Sequence, residues 1–324
     1  MTRNLIIPGP WDDPDDETPA YGTRFKAHKQ RKAQARAGVA KQSFESNADV
    51  QRWLRESSEG EGARAPFAPD ALVGRRDGPW VLSSLTSFYE QELITDVLRE
   101  VKSGKEATVF CCSGGPASGA ELLAAKIYRP RMFRSLSNDA VYREGRTVRN
   151  ESGKQVKLTG KGIPSRASAK GRAFQVSSWI SYEYATQELA YRLGVRTPRP
   201  YAQTGNGLLM AYIGDAHTVA PRLAEIEVDR GVAQDLLDGL LEDIERLLGA
   251  HRIHGDLSVY NILAWEGQAY LIDFAQAVDP RHGDDARALL ARDVARVVAA
   301  LAPFGARADA HAIADRLWWA YLQG

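Results

Sequence analysis

Two aspartates and an asparagine surround a predicted β-hairpin in the second half of the chain, and this arrangement constrains the fold most strongly. Asp256 stands in the segment HGDL, Asn261 follows five residues later, and Asp273 ends the segment LID. The apolar segments 262–265 and 269–272 are predicted strands joined by a tight Glu-Gly turn. Because the two strands of a hairpin are antiparallel, Asn261 and Asp273 are expected to lie side by side.

This pattern is typical of proteins that transfer a phosphoryl group from ATP. The carboxylate of Asp256 can orient or deprotonate an attacking hydroxyl group. Oxygen atoms of Asn261 and Asp273 can hold Mg²⁺ against the phosphates. A capping aspartate with two unrelated turn residues would be a simpler interpretation, but the matching order and spacing favour a phosphoryl-transfer site.

A lone lysine, Lys126, lies in an otherwise apolar predicted strand at 122–128. A buried ammonium group is costly unless it is paired, so the sequence predicts a carboxylate partner. Glu183, one turn into a predicted helix that begins at Trp179, is the first candidate, and Glu188 is the second. Such a pair would position the α and β phosphates. The alternative is an edge lysine whose ammonium group reaches solvent.

A glycine turn, Ser103-Gly104-Lys105-Glu106, links two predicted strands upstream of Lys126. It does not match the Walker A pattern, because Glu106 stands where that pattern has serine or threonine. A glycine between two strands usually makes a simple hairpin turn. Its position upstream of Lys126 and Asp256 favours a loop that covers phosphates.

Four segments taken together resemble the RIO family of atypical serine/threonine protein kinases: SGKEATVF, AAKIYR, HGDLSVYNIL and LIDFAQAV. The resemblance covers about 87–304, and Ser258 stands where ordinary serine/threonine kinases usually have lysine. It implies an α+β, bilobal protein-kinase-like fold with a small β-rich N-lobe and a helical C-lobe. It also implies ATP as the nucleotide and Mg²⁺ as the metal, with Mn²⁺ as a substitute.

The same resemblance assigns roles to the motifs. Asp256 becomes the catalytic base, and Asn261 and Asp273 become the metal ligands. Asp273 is also a catalytic residue, since in this family the corresponding aspartate can accept phosphate as an aspartyl-phosphate. The phosphate loop, the lysine pair and the hinge beside adenine bind ATP through Ser103, Gly104, Lys105, Glu106, Lys126, Glu183, Met210, Tyr212 and Ile213.

The polarity of the sequence divides the chain into three parts. Residues 1–79 are polar and interrupted, so we expect a flexible N-terminal extension and a folded structure that begins near Trp80. Residues 80–210 are the predicted N-lobe, with a basic flexible loop at 129–178. Residues 211–324 are the predicted C-lobe, which carries the catalytic loop and the metal-binding aspartate.

The other elements are predicted from hydrophobic spacing and turn residues. The predicted strands are 94–101, 109–112, 122–128, 207–213, 262–265 and 269–272. The predicted helices are 179–193, 232–251, 286–301 and 308–321.

The predicted function is a RIO-type serine/threonine protein kinase or ATPase that transfers the γ-phosphoryl group of Mg-ATP, with autophosphorylation or an aspartyl-phosphate as possible outcomes. No Ala-Pro-Glu follows Asp273, and Ala275 stands where many kinases have glycine, so the subfamily and a protein substrate stay open. Two alternatives also stay open. One is a small-molecule phosphotransferase of the aminoglycoside or choline kinase type, and the other is a nucleotide-gated module that binds RNA or a ribosome.

The charge is balanced overall, with 42 Lys and Arg against 41 Asp and Glu, but two segments are strongly basic. Residues 24–41 carry no acid and residues 129–172 carry few, so both are candidates for contacts with RNA or a ribosomal particle, or are simply solvated. Cys111 and Cys112 fit the role of apolar fillers in a reducing compartment. No apolar run approaches the ~20 residues of a membrane span, so a cytoplasmic protein without membrane contact is expected.

Overall fold

The structure is a computed structural model that describes residues 67–104, 106–129, 148–149, 155–156, 169–282 and 285–324. Side chains are described within these ranges except at 148–149, 155–156 and 169–178. The predictions for the basic segment 24–41, for Lys105 and for most of the basic segment 129–172 therefore lie outside the described residues.

The N-lobe is built on an antiparallel sheet of five strands in the order β1-β2-β3-β7-β6. A separate pair of two-residue strands, β4 and β5, lies between β3 and β6 in the chain. The strands are β1 (Ile94–Ser103), β2 (Ala107–Gly114), β3 (Leu122–Tyr128), β4 (Val148–Arg149), β5 (Gln155–Val156), β6 (Pro200–Thr204) and β7 (Gly207–Ala211). The sequence did not predict β6, which is half-buried, begins with proline and lies at the sheet edge, where proline is tolerated.

A helix that the sequence did not predict covers one face of this sheet. This helix, α1 (Gly78–Glu90), buries Trp80, Leu85 and Phe88 at helical spacing against apolar residues of the strands. Leu72 belongs to the same core, so packed structure begins earlier than the expected start near Trp80. The polar composition before residue 80 hides this short apolar segment.

The second helix of the N-lobe, α2 (Ala169–Arg192), begins ten residues before the predicted start at Trp179. The predicted loop 129–178 is therefore wrong at its C-terminal end, because residues 169–178 are helical. Residues 169–178 include alanine, lysine and arginine, which favour a helix. The segment has no apolar stripe from which a helix could have been predicted. The helix is followed by Gly194, whose φ of +74° suits a residue without a side chain.

In the part of the C-lobe that the structure describes, the regular elements are helices and one hairpin. Its elements are α3 (Ala233–Gly249), β8 (Ile262–Trp265), β9 (Gln268–Leu271), α4 (Ala286–Leu301) and α5 (Ala310–Gln323). The predicted bounds of β8 and α4 agree with these bounds, and the other three elements differ by one or two residues at each end. The apolar faces of α3 and α4 form the largest core of the described residues. Among those residues, no helix is both long enough and apolar enough to cross a membrane.

A small apolar cluster joins the two lobes beside the segment that follows β9. Tyr128 at the end of β3, Trp179 and Ile180 of α2, and Leu208 of β7 pack with Ala275 in one buried cluster. The end of β3, which carries Lys126, is therefore held next to the segment that carries Asp273. The two-lobed α+β architecture predicted from the sequence is confirmed, whereas the exact domain boundaries 1–79, 80–210 and 211–324 stay predictions.

Candidate active site

Lys126 joins two carboxylates that come from different lobes. Its Nζ atom lies 2.8 Å from Oε1 of Glu183 on α2 and 3.1 Å from Oδ1 of Asp273, which follows β9. The second candidate partner, Glu188, instead lies 3.9 Å from Arg192 on its own helix. Lys126 is therefore a paired, largely buried lysine rather than an edge lysine that reaches solvent.

The two carboxylates have different environments. Burial raises the pKa of Glu183 above its ordinary value in spite of the neighbouring Lys126. Partial burial acts in the same direction on Asp273, but the ammonium group of Lys126 outweighs it and lowers the pKa of Asp273. Burial opposes the charge of Lys126, yet the two carboxylates outweigh it and raise the pKa of the lysine. Because the side chain of Asp273 is 42% exposed and that of Glu183 only 2%, Asp273 is the anion that a ligand can reach.

Tyr128 is a member of this site that the sequence analysis did not identify. Its hydroxyl group donates a hydrogen bond to Oε2 of Glu183, the oxygen that Lys126 does not contact. Burial, together with the charge of Glu183, raises the pKa of Tyr128 well above its usual value, so the hydroxyl group keeps its proton. The available signal was the two-residue spacing between Lys126 and Tyr128, which places both on the same face of β3.

Asp273 adopts a left-handed backbone conformation with a φ of +69°. Aspartate tolerates this conformation better than most residues. The next residue, Phe274, is fully buried, and its ring packs against His254 with the ring centres 5.1 Å apart. A ring nitrogen of His254, Nε2, lies 3.1 Å from the carbonyl oxygen of Ile272. These contacts fix the backbone on both sides of the Asp273 carboxylate.

Asp293 of α4 fixes the backbone of the segment around Asp256 through hydrogen bonds. The carboxylate of Asp293 accepts hydrogen bonds from the backbone N–H groups of Gly255 at 2.7 Å and Leu257 at 3.1 Å. Gly255 has a φ of +79°, and a Cβ atom there would lie 2.4 Å from the carbonyl oxygen of Gln276. The sequence HGDL therefore requires glycine, whereas the role of Asp293 could not be predicted from local spacing.

Asp256 and Asn261 are in contact with each other. Nδ2 of Asn261 donates to the backbone oxygen of Asp256 at 2.8 Å and lies 3.4 Å from its Oδ2 atom. The backbone oxygen of Asn261 accepts a hydrogen bond from the N–H group of Ile272 at 3.0 Å, which places Asn261 next to the residue before Asp273. Oδ1 of Asp256 lies 3.2 Å from Nη1 of Arg296 on α4.

The oxygen atoms of Asn261 and Asp273 fit a magnesium ion better than a transition metal. No group of three or more His, Cys, Asp or Glu side chains suited to a metal ion occurs in the part of the chain that the structure describes. Mg²⁺ does not need such a group, because it usually takes one or two protein ligands and completes its coordination with phosphate oxygens and water. The chemistry of these two residues is therefore compatible with the predicted metal.

The predicted hinge, at residues 210–213, borders an apolar surface of the sheet. Met210 and Tyr212 pack in one cluster with Cys111 and Ala124. Strand β7 ends at Ala211, so Tyr212 and Ile213 lie in the connection to the C-lobe rather than in the strand that was predicted to reach residue 213. The hydroxyl oxygen of Tyr212 accepts a hydrogen bond from Nη2 of Arg99 at 3.0 Å, and Nη1 of Arg99 donates to the carbonyl oxygen of Ala216 at 3.1 Å.

The predicted phosphate loop is a tight connection between β1 and β2. The N–H group of Gly104 donates to the carbonyl oxygen of Ala107 at 2.8 Å, and the hydroxyl group of Ser103 contacts the guanidinium group of Arg129. The backbone oxygen of Glu106 accepts a hydrogen bond from the N–H group of Arg129 at 2.6 Å. Arg129 follows β3, so the loop is tied to the strand that carries Lys126.

A sequence model of the RIO domain matches residues 140–312, which is more than half of the chain. The chain belongs to the RIO family. The region matched to the RIO domain contains Asp256, Asn261 and Asp273, and the predicted membership of the RIO family is thereby confirmed.

Known RIO proteins align with large parts of the chain. The RIO-type serine/threonine-protein kinase Rio1 of Haloferax volcanii is 34% identical over 211 residues, which are 64% of this chain and 64% of the relative. The protein of the same name from Thermoplasma acidophilum is 35% identical over 122 residues, which are 38% of this chain and 62% of the relative. The chain thus matches a little under two thirds of the length of each of these RIO proteins.

A solved RIO protein has the same fold. The crystal structure of the Rio2 kinase from Chaetomium thermophilum superposes with a TM-score of 0.51 and 17% sequence identity, and it covers 84% of this chain and 86% of the Rio2 chain. At this identity the likeness shows the fold alone. It confirms the bilobal kinase-like architecture that the RIO resemblance implied.

Proposed function

We propose that this RIO protein is an ATP-dependent serine/threonine protein kinase or ATPase that transfers the γ-phosphoryl group of Mg-ATP. The observation that carries the proposal is the contact of Lys126 with both Glu183 and Asp273, because it brings groups from two lobes to one point. The printed names of the Haloferax and Thermoplasma relatives, both RIO-type serine/threonine-protein kinases, support this class of reaction.

In this proposal the nucleotide lies between the hinge and the lysine pair. The adenine ring would contact the hinge residues Met210, Tyr212 and Ile213, whose apolar neighbours on the sheet suit a flat aromatic ring. The phosphates would lie under the loop 103–106 and next to Lys126. Glu183 would hold the ammonium group of Lys126 in position, as in other kinases.

Asn261 and Asp273 would hold the metal ion. When bound, Mg²⁺ or Mn²⁺ neutralises the negative charge that develops on the transferred phosphoryl group. Asp273 suits this role because its exposed carboxylate has a lowered pKa and is therefore an anion at neutral pH. Asn261 adds a neutral oxygen ligand from the neighbouring strand end.

Asp256 would act as the base towards the attacking hydroxyl group. Its side chain is 52% exposed, so an acceptor can reach it, and its backbone is fixed through the hydrogen bonds that Asp293 accepts from its neighbours. Transfer to a hydroxyl group of this chain would give autophosphorylation. Transfer to Asp273 itself would give an aspartyl-phosphate, in which a carboxylate oxygen forms the new bond to phosphorus and ADP leaves.

We also propose a cytoplasmic location and a partner that contains RNA. The location is supported by Cys111 and Cys112, which are both free and buried, as is usual in a reducing compartment. The RNA partner, such as a ribosomal particle, is supported by the basic segments 24–41 and 129–172 in a chain of nearly neutral charge. Binding through phosphates should weaken steeply as salt increases, and RNA affinity that does not change with salt would contradict this proposal.

The test of the proposed activity is to follow label from γ-labelled ATP in the presence of Mg²⁺. We expect label on the protein, on an added protein or in free phosphate, and we expect Asp256→Asn to suppress it. Label that is lost on treatment with hydroxylamine would identify an aspartyl-phosphate. Label that appears on an aminoglycoside or on choline would instead support a small-molecule phosphotransferase, and no transfer to any acceptor or to water would contradict both activities.

A further inference from the structure

We propose that Arg296 is a positioning residue that holds the carboxylate of Asp256 in the orientation needed to accept the proton of the attacking hydroxyl group. The inference rests on the proposed function, because it assigns a role to Arg296 in the same reaction. Its starting point is the 3.2 Å contact between Nη1 of Arg296 and Oδ1 of Asp256. The two residues are 40 positions apart in the chain, so the fold rather than local sequence brings them together.

Helix α4 already fixes the backbone around Asp256. Asp293 accepts hydrogen bonds from the N–H groups of Gly255 and Leu257, and the guanidinium group of Arg292 donates to the carbonyl oxygen of Gly255. None of these contacts involves the side chain of Asp256. Without a further contact, that half-exposed carboxylate could rotate about its side-chain bonds while its backbone stayed in place.

Arg296 supplies such a contact from the same helix. It lies four residues after Arg292, so both arginines are on the face of α4 that meets the catalytic segment. The opposite side of α4 is anchored in the core through Leu290, Val294 and Val297. The guanidinium group of Arg296 therefore extends from a rigid helix towards Asp256.

The contacts of the two carboxylate oxygens differ. Oδ1 of Asp256 is in the ion pair with Arg296, whereas the only polar side-chain contact of Oδ2 among the described residues is the 3.4 Å contact with Nδ2 of Asn261. A general base must lie within about 2.6–3.2 Å of the oxygen whose proton it accepts. We infer that Arg296 holds Oδ1 and thereby leaves Oδ2 available to the acceptor.

The competing explanation is that the pair is an ordinary surface ion pair, which contributes little to stability and nothing to catalysis. Within the described residues, Asp256 is the only hydrogen-bonding or ion-pair partner of the Arg296 side chain. Removing the guanidinium group should therefore affect Asp256 without breaking other contacts in that part of the chain. If Arg296 positions Asp256, its removal should lower kcat. If the pair is an ordinary surface ion pair, its removal should change at most the melting temperature.

The experiment compares Arg296→Gln, Arg296→Lys and the matched control Arg287→Gln in the full chain. Arg287 lies on the same helix and forms an exposed ion pair with Asp315 at 2.8 Å. For each variant, kcat and KM for ATP are measured from ADP formation in Mg²⁺, together with the melting temperature. We expect Arg296→Gln to lower kcat about 10-fold, since proton transfer depends on geometry, with KM for ATP changed less than about twofold.

The conservative variant and the control complete the test. Arg296→Lys should recover part of kcat, because lysine keeps the charge but lacks the planar fork of arginine, and Arg287→Gln should behave like the unmodified chain. An unchanged kcat in Arg296→Gln, or an equal loss in Arg287→Gln, would overturn the inference and leave the proposed function intact. An unmodified chain that turns over ATP no faster than Asp256→Asn would overturn the proposed function, and the inference with it.

Discussion

Lys126 and Asp273 are 147 positions apart in the chain, yet Nζ of the lysine lies 3.1 Å from Oδ1 of the aspartate. The contact joins the central strand β3 of the N-lobe to the end of the hairpin in the C-lobe. It defines the point where the proposed nucleotide phosphates would bind.

Asp256→Asn should abolish phosphoryl transfer while ATP binding is retained. The side chain of Asp256 contacts Arg296 and Asn261 rather than Lys126, so its loss should leave the phosphate-binding groups in place. We expect turnover to fall at least about 100-fold, which is typical for the loss of a general base. Turnover and ATP affinity are measured on the same preparation. A parallel loss of both would mean that Asp256 holds the nucleotide.

Tyr128→Phe should weaken the lysine pair without changing the shape of the core. The variant removes the hydrogen bond to Glu183 and leaves Oε2 of this buried carboxylate without its donor. The expected cost is about 1–3 kcal/mol in the free energy of unfolding, accompanied by weaker ATP binding. Denaturant unfolding and calorimetry measure the two effects. The exposed Tyr191 of α2 provides the control, since Tyr191→Phe should change neither quantity.

Two glycines of α3 should respond differently to alanine. A Cβ atom at Gly239 would lie 2.5 Å from Nη1 of Arg196, whose guanidinium group is paired with the buried Asp243, whereas nothing lies within 4 Å of a Cβ atom at Gly249. Gly239→Ala should therefore displace Arg196 and destabilise the fold by about 2 kcal/mol. Gly249→Ala should be neutral or stabilise it by up to about 1 kcal/mol, because alanine favours a helix. Equal stabilities of the two variants would show that Arg196 moves aside at little cost.

Stability in acid should depend on Asp279. Burial would raise the pKa of Asp279, but hydrogen bonds from Arg281 outweigh it and lower the pKa to about 2. A carboxylate whose folded-state pKa is depressed contributes stability above its unfolded pKa of about 3.9, and this contribution is lost as pH falls towards the folded value. Between about pH 4 and pH 2 the unmodified chain should therefore lose about 2 kcal/mol more than Asp279→Asn. The free energy of unfolding is measured in urea as a function of pH for both proteins. The same pH dependence in both would contradict this assignment.

The parts of the fold that follow local rules could be predicted from the sequence. The hairpin strand at 262–265 and the helix at 286–301 have clear apolar spacing, and both lie where they were expected. One of the two partners of Lys126 could also be predicted, because a buried ammonium group needs a carboxylate and Glu183 lies in a helix nearby.

The parts that depend on distant contacts could not be predicted. Asp293 and Arg296 contact a segment 36 to 40 positions earlier in the chain, and no local spacing connects them to Asp256. Helix α1 has a buried face, but its serines and threonine gave a mixed pattern. The first ten residues of α2 lack an apolar stripe, so the sequence resembled a continuation of the basic loop.

In the proposed function, groups from both lobes bind Mg-ATP between Lys126 and Asp273. Titration calorimetry of the unmodified chain and of Asp273→Asn, each with and without Mg²⁺, measures this binding. We expect Mg²⁺ to strengthen ATP binding to the unmodified chain and Asp273→Asn to remove this Mg²⁺ dependence. ATP affinity that is absent under all conditions, or a Mg²⁺ dependence that is the same in both proteins, would contradict this proposal.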